Sequence, residues 1–560
     1  MARTVSIGCQ DFETLQREGY FYIDKTSFIK EWWEEGDSVT LITRPRRFGK
    51  TLNMSMTEQF FSIKYAGRGD LFESLAIWKE EKYRKLQGTY PVISLSFASI
   101  KDTNYETTRR KICQILTNLY SQYDFLLKGD YLNDKEKKFF ESVTADMGDV
   151  EATFALHQLS LYLSRYYGKK VIILLDEYDT PMQEAYVYGY WEEMAAFIRN
   201  LFNSTFKTNP YMERAVMTGI TRISKESIFS DLNHLEVITS TSCKYEDSFG
   251  FTEMEVFAAM DEFRLTEKKE VRAWYDGFTF GNTRDIYNPW SIINYLDKQR
   301  FATYWANTSS NSLVGKLIQE GTAEIKVVME DLLQGKSFHA SFDEQIVLRQ
   351  LDHNLHAIWS LLLACGYLKV EAFTVDGNYG ECDYTLSLTN KEVRLMFRHM
   401  IDGWFADYTP AYNAFIKALL LEDKKAMNVY MTQTALATFS FFDTGNKPSE
   451  TAEPERFYHG FVLGLIVDLA DRYRITSNRE SGFGRYDVVL EPFRDGDPAF
   501  VLEFKVHDSE EEETLADTVA AALRQIEEKA YDTELTARGI AKERIRHYGF
   551  AFAGKTVLIG

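Results

Sequence analysis

Four short apolar runs punctuate the first half of the chain: SVTLITR (38–44), YPVISLSF (90–97), KVIILLDE (170–177) and ERAVMTGI (213–220). Each is continuous rather than alternating, and stretches with helical spacing separate them. Strands of a parallel sheet covered by helices on both faces read this way. The pattern predicts an α/β domain with a parallel sheet over residues 1–285.

From residue 286 the character changes. Helical patterns in NPWSIINYLDKQ and HAIWSLLLACGYL lead into strand-like GYLKVEAF (366–373) and DYTLSLTN (383–390), then a helix beginning near Lys391. Helices followed by a two-stranded wing predict a winged-helix-like region over 286–400. Residues 401–450 read as a helical connector, and TGNKPSETAEPE (444–455) has the composition of a linker. The remaining stretch, 451–560, predicts a third α/β unit: a helix, strands at 484–490 and 499–506, and a long helix from about 512. In that helix Leu515, Val519, Ala522, Ile526 and Ala530 recur at helical spacing and are expected in the core, with the acidic run DSEEEE (508–513) as its cap.

Composition adds scale. A chain of 560 residues calls for two to four domains. Its 45% hydrophobic and 26% charged residues are those of a folded, soluble protein, and 40 Phe and 33 Tyr suggest well-filled cores. The net charge of −19 argues against a general nucleic-acid coat but leaves room for a local groove or a bound metal. Five dispersed cysteines (Cys9, Cys113, Cys243, Cys365, Cys382) show no metal-type spacing and suit a reducing compartment. The first residues lack an apolar signal core, and no run approaches the ~18 apolar residues of a membrane span. A cytoplasmic protein without membrane contact is expected.

Two constellations carry chemistry. RPRRFGKTL (44–52) lies between the first strand and a helix over 51–62. A phosphate loop needs a buried strand, a tight turn of inward N–H groups and a helix N-terminus behind them. Gly49 would make the turn, Lys50 would bridge the outer phosphates, and Thr51 would ligate Mg²⁺. Arg44 stands where such loops usually have glycine, so a basic turn remains the alternative. VIILLDEYD strengthens the nucleotide reading, because two carboxylates closing a buried strand are costly without a role. Asp176 would hold Mg²⁺ through water, and Glu177 would orient or deprotonate the attacking water. Tyr178 and Asp179 are open to a packing role. After the fourth strand, Thr218, Thr221 and Arg222 suit a sensor of the terminal phosphate; a structural salt bridge by Arg222 is equally open.

The second constellation is GFGRYDVVLEP (482–492) followed by AFVLEFKV (499–506). Asp487 precedes Glu503 by sixteen residues, and Glu503 and Lys505 share a strand face with Val501, while Leu502, Phe504 and Val506 turn to the other face. Two such carboxylates can hold Mg²⁺, and the lysine can activate the water that attacks a phosphodiester. Against strong duplex binding, residues 451–560 hold 14 Lys and Arg but 21 Asp and Glu.

Together with DKTSFI (24–29), TGITRISKESIFS (218–230), FGFTEMEV (249–256), WYDGFTFG (274–281) and DIYNPWSI (285–292), these stretches resemble a bacterial family of predicted AAA-like ATPases that often carry a C-terminal PD-(D/E)xK nuclease-like domain. The resemblance implies that RPRRFGK, with Arg46, Arg47 and Phe48, is itself the phosphate loop. It implies ATP and Mg²⁺ as cofactors and a DNA or RNA partner. It adds Glu455 as a third metal ligand and Gln525 as a supporting residue; His459, Arg479 and Arg485 flank the site, with a core role open for His459. Asp24-Lys25-Thr26 is open to covering the nucleotide or to a structural turn. The expected function is ATP-controlled cleavage of nucleic acid. The rivals are a nucleotide-dependent switch whose C-terminal domain only docks a partner, and a nuclease with a purely structural ATPase half. A homo-oligomer stays open.

Overall fold

The computed structural model describes residues 2–221, 228–229, 232–306, 312–341, 355–375, 382–404, 409–442, 452–479, 485–508, 512–529, 531–553 and 556–560. In it the four continuous apolar runs are the strands β1 (Val39–Thr43), β2 (Val92–Ser96), β3 (Val171–Asp176) and β4 (Met212–Gly219). They pair in parallel in the order β2-β3-β4-β1, and β5 (Leu235–Ile238) joins beside β1 as the edge. Every residue of β1 and β3 is buried, as strands covered on both faces should be. β5 gives no comparable sequence signal, because an edge strand with three half-buried residues and only Ile238 fully buried has little to bury.

Aromatic side chains fill the space between this sheet and its helices. Trp32, Phe60, Phe61, Phe72 and Tyr83 are each fully buried in one cluster, and Phe60, Phe61 and Phe72 meet edge to face. Helix α1 (Lys50–Phe61) starts at the end of the loop after β1.

Beyond the sheet the same compact unit holds two three-stranded sheets. One has the order β6-β8-β7 (Phe251–Thr252, Thr283–Tyr287, Phe278–Phe280), the other β10-β11-β9 (Leu368–Val375, Cys382–Leu388, Phe338–Ser341). β10 and β11 are the antiparallel pair expected from sequence, and a helix follows at Lys391–Trp404. Helix α2 (Pro289–Lys298) begins with Asn288, whose side chain accepts from the N–H groups of Trp290 and Ser291, and has Pro289 at its first turn. Glu392 is buried here: its carboxylate accepts from the N–H groups of Tyr304, Trp305 and Ala306 and from Ser291 Oγ.

The chain forms two compact units, and they do not follow sequence order. One comprises Met1–Ser309 and His339–Val393, the other Ser310–Phe338 and Arg394–Gly560. The second contains the helices α3 (Ser312–Glu320), α4 (Ala323–Leu333), α5 (Ala452–Leu469) and α6 (Leu515–Glu528). Its sheet runs β12-β13-β14-β15-β16 (Tyr473–Arg479, Arg485–Pro492, Ala499–Val506, Ile545–Ala553, Thr556–Ile559). Only β14–β15 is parallel among these pairings. On one face Val501 and Ala499 pack with Ile526 of α6; on the other Phe504 meets Phe461 of α5 and Phe550. The cap of α6 is Thr514 in a reciprocal capping box with Asp517 rather than the acidic run, of which Glu512 bonds Thr518 Oγ1. Val519, Ala522 and Ile526 are buried and Leu515 is half-buried; Ala530 and the 444–451 part of the expected linker lie outside the described residues.

Candidate functional sites

Gly49 takes φ +81° at the junction of the β1 loop and α1, a conformation open to glycine, and leaves the helix N-terminus unobstructed. Next to it Lys50 is buried, and its Nζ donates to the carbonyls of Arg44 (2.8 Å) and Pro45 (2.9 Å). Burial lowers its pKa, with Glu177 and Asp176 pulling the other way. An ammonium curled against its own loop marks the space where anionic oxygens would compete for it. Thr51 Oγ1 donates to Asp176 Oδ2 (2.8 Å), and Thr218 Oγ1 donates to the other oxygen. Asp176 is thus a buried carboxylate with hydroxyl partners, and burial raises its pKa. A hydroxyl and a carboxylate meeting beside a lysine fit the donor set of a Mg²⁺–nucleotide site.

Four of the five residues ahead of Gly49 divide the work. Arg44 is completely buried; Nη1 donates to the carbonyls of Thr43 (2.9 Å) and Thr239 (2.7 Å), and the guanidinium lies 4.3 Å from the Phe280 ring centre. It is a packing cation, which explains why the loop dispenses with glycine there. Phe48 is buried edge-on to Phe278 and Phe280 and anchors the loop. Arg47, at φ +67°, lies over Trp290 of α2 at 4.3 Å. Arg46 donates to Gln183 Oε1 (3.3 Å), and its carbonyl accepts from Asn288 Nδ2 (3.3 Å).

Glu177 also sits at positive φ (51°), a conformation that costs a non-glycine residue ~1 kcal/mol or more and concentrates at functional sites. Its N–H donates to Thr218 Oγ1 (3.2 Å), and Thr180 Oγ1 donates to Oε2 (3.2 Å). Tyr178 and Asp179 are structural. Asp179 is buried and accepts from the N–H groups of Ile220 and Thr221 (3.0 Å each) and from the Thr221 hydroxyl, so Thr221 is committed to that brace. Arg222 lies outside the described residues. In the Asp24-Lys25-Thr26 turn, Asp24 accepts from Thr26 and from the Ala76 N–H, while Lys25 pairs with both oxygens of Glu255.

Of these groups, Lys25, Arg46–Thr51, Glu177 and Thr180 line one cavity of about 330 Å³. Lys50, Thr51 and Glu177 are among its polar lining, and Val5, Phe21, Ile23, Phe251 and Ile293 among its apolar lining. Sequence reasoning did not single out the N-terminal segment Val5–Gln10, Lys101 or Trp290 as cavity residues. Each owes its place to tertiary folding, and only the NPW triplet offered a local hint.

In the C-terminal sheet the register sets position 487 of β13 directly opposite Glu503 of β14, with Arg485 opposite Lys505. Glu503 is fully buried, and neither of its oxygens has a hydrogen-bond partner among the described residues. Gln525 of α6 is buried too, with Nε2 unpartnered among them. A carboxylate left this way is expensive unless a cation or a proton joins it, so this position suits a ligand to a divalent ion. The side chains of Asp487, Glu455, His459, Arg479 and Arg485 lie outside the described residues, and no cluster of three or more His, Cys, Asp or Glu forms a metal site among those described. Lys505 is half-buried at the end of β14.

The fold and these two sites define a two-part protein, a phosphate-loop α/β unit and a mixed-sheet, nuclease-like unit. Residues 6–229 match the family model described as "Predicted AAA-ATPase", and residues 453–560 match that of the PD-(D/E)XK nuclease superfamily. Over almost its full length the chain is 25% identical to "Uncharacterized protein in vnfD 5'region" of Azotobacter chroococcum mcd 1, covering 96% of this chain and 94% of the relative. The chain therefore combines an AAA-ATPase-like domain with a PD-(D/E)XK nuclease-like domain. Among the described residues no helix is long and apolar enough to cross a membrane.

Proposed function

We propose that the protein is a cytoplasmic Mg²⁺-dependent ATPase whose C-terminal domain cleaves phosphodiesters of DNA or RNA under ATP control. The observation that carries the reading is the hydrogen-bonded set Thr51, Asp176 and Thr218 behind a cavity of about 330 Å³ that Lys50, Thr51 and Glu177 line, together with apolar residues suited to a nucleoside base. Mg²⁺, when bound, neutralises phosphate charge. Lys50 leaves the loop carbonyls for the outer phosphates, Thr51 and Asp176 hold the ion, and Glu177 orients the attacking water. Arg46 adds charge, Arg47 and Phe48 hold the loop's shape, and Arg222 reads the terminal phosphate. In residues 451–560, Asp487, Glu503 and Glu455 would hold a second metal ion, and Lys505 would activate water. The buried Glu503, with no hydrogen-bond partner among the described residues, supports this reading.

The test is a cleavage assay on single- and double-stranded DNA and RNA, with Mg²⁺ or Mn²⁺, with and without ATP. Lys50→Ala should abolish ATP turnover. Lys505→Ala should abolish cleavage and leave turnover within about twofold. Absence of cleavage across the whole panel would sink the nuclease half. A nucleotide-dependent switch that only docks a partner is favoured by one observation, the excess of acidic residues in 451–560.

A further inference from the structure

Five side-chain cations line the nucleotide cavity, and four are engaged by neighbouring groups. Lys25 is neutralised by Glu255, Lys50 is held by the loop carbonyls, Arg47 lies over Trp290, and Arg46 bonds Gln183. The fifth, Lys101, is exposed and makes no ion pair or hydrogen bond among the described residues.

The chain around Lys101 is nonetheless fixed. β2 runs parallel to β3 with Ser96 level with Asp176, so the segment after β2 leaves the sheet at the edge where Asp176 and Glu177 end. The Phe97 N–H donates to the Asp176 carbonyl (3.0 Å), and the Ile100 N–H to the Phe97 carbonyl (3.0 Å). Phe97 and Ile100 are fully buried. On the other side, Asp102 offers its carbonyl to Tyr190 Oη (2.6 Å) and its carboxylate to Lys111. Lys101 therefore projects from a backbone clamped on both flanks, into the cavity wall that also holds Ala98, Glu177 and Thr180. Glu184, next to Gln183, feels the charge of both Lys101 and Arg46.

We infer that Lys101 is a specificity-determining residue of the nucleotide site, a cation from the β2 loop that contacts the terminal phosphate of a bound nucleoside triphosphate. A nucleoside diphosphate, held by Lys50 and the helix N-terminus, has no group that reaches it. Lys101 then distinguishes the two states that a nucleotide-controlled protein must tell apart. The inference rests on the nucleotide reading of the cavity.

The test measures the affinities of ADP and of an ATP analogue with an imido β–γ bridge, both with Mg²⁺, for the full-length protein. One charge-assisted contact is expected to contribute about tenfold in affinity. Lys101→Ala should weaken the analogue by about that factor and leave ADP within about twofold, while Lys101→Arg restores the preference. An unchanged ratio in Lys101→Ala, or equal loss of both ligands, overturns the assignment while leaving the nucleotide site intact. If the unaltered protein binds neither ligand, the nucleotide reading falls and the assignment with it.

Discussion

Arg44 shows how far a residue's role depends on where its side chain goes. It occupies the loop position nearest a phosphate in sequence terms, yet its guanidinium is spent on two carbonyls and an aromatic ring. Arg44→Leu should cost about 2–4 kcal/mol, since it strips two buried carbonyls of their donor. A denaturant melt would show this, with nucleotide affinity of the folded protein near the original. Asp276 is a second case. Buried beside Asp285 and Glu253, its carboxyl is pushed up to about 7, first by burial and then by those neighbours. A carboxyl with a raised folded pKa binds its proton more tightly in the native state. Its stabilising contribution is complete below the unfolded value near 4 and is lost as pH rises through about 7. Asp276→Asn should remove that loss, so the variant's melting temperature should exceed the original's by a few degrees at about pH 8 and converge with it at about pH 4. A constant difference across pH would contradict the assignment.

At the scale of elements, the nucleotide cavity depends on how tightly β3 and β4 are sewn together at their ends. Gly219 closes β4 where a Cβ would stand 2.5 Å from Tyr178 Cε1 and 2.9 Å from Asp179 Oδ1. Gly219→Ala should force the Tyr178–Asp179 turn aside, cost about 1–3 kcal/mol and depress ATP turnover more than nucleotide binding. Calorimetry and a turnover assay would separate the two effects. The same region explains which parts were legible in sequence. β1 to β4 announced themselves because strands buried on both faces must be continuously apolar, and Asp176, Lys50 and Thr51 because a charge beside such a strand stands out. β5, four residues on an edge, carried no such mark. Lys101 was invisible for a different reason. Its segment, SIKDTN, has no motif, and its place beside Glu177 comes from strand pairing alone. In the C-terminal sheet the alternation of Val501, Glu503 and Lys505 against Leu502 and Phe504 fixed the faces, but not the solitude of Glu503.

The whole molecule interleaves. Residues Ser310–Phe338 belong to the second unit although first-unit segments flank them on both sides. Within that unit, α4 buries Ile325, Met329 and Leu332, and Glu330 accepts from Ser477 Oγ of β12. A fragment ending before residue 452 would keep α3 and α4 while losing α5 and the sheet. It should expose that apolar stripe and aggregate, whereas the full chain carrying Lys505→Ala stays monodisperse; size-exclusion chromatography with light scattering would tell them apart.

That interleaving has a consequence for inheritance. Two domains joined end to end can be lost or exchanged by a single break in a gene. Here the matched stretches, 6–229 and 453–560, look like separable cassettes only on paper. A crossover between them separates a segment from its own unit: Ser310–Phe338 from the second when the break follows residue 338, His339–Val393 from the first when it precedes residue 310. Recombination would therefore tend to pass the pair on whole, and each half would be expected to diverge in the company of the other.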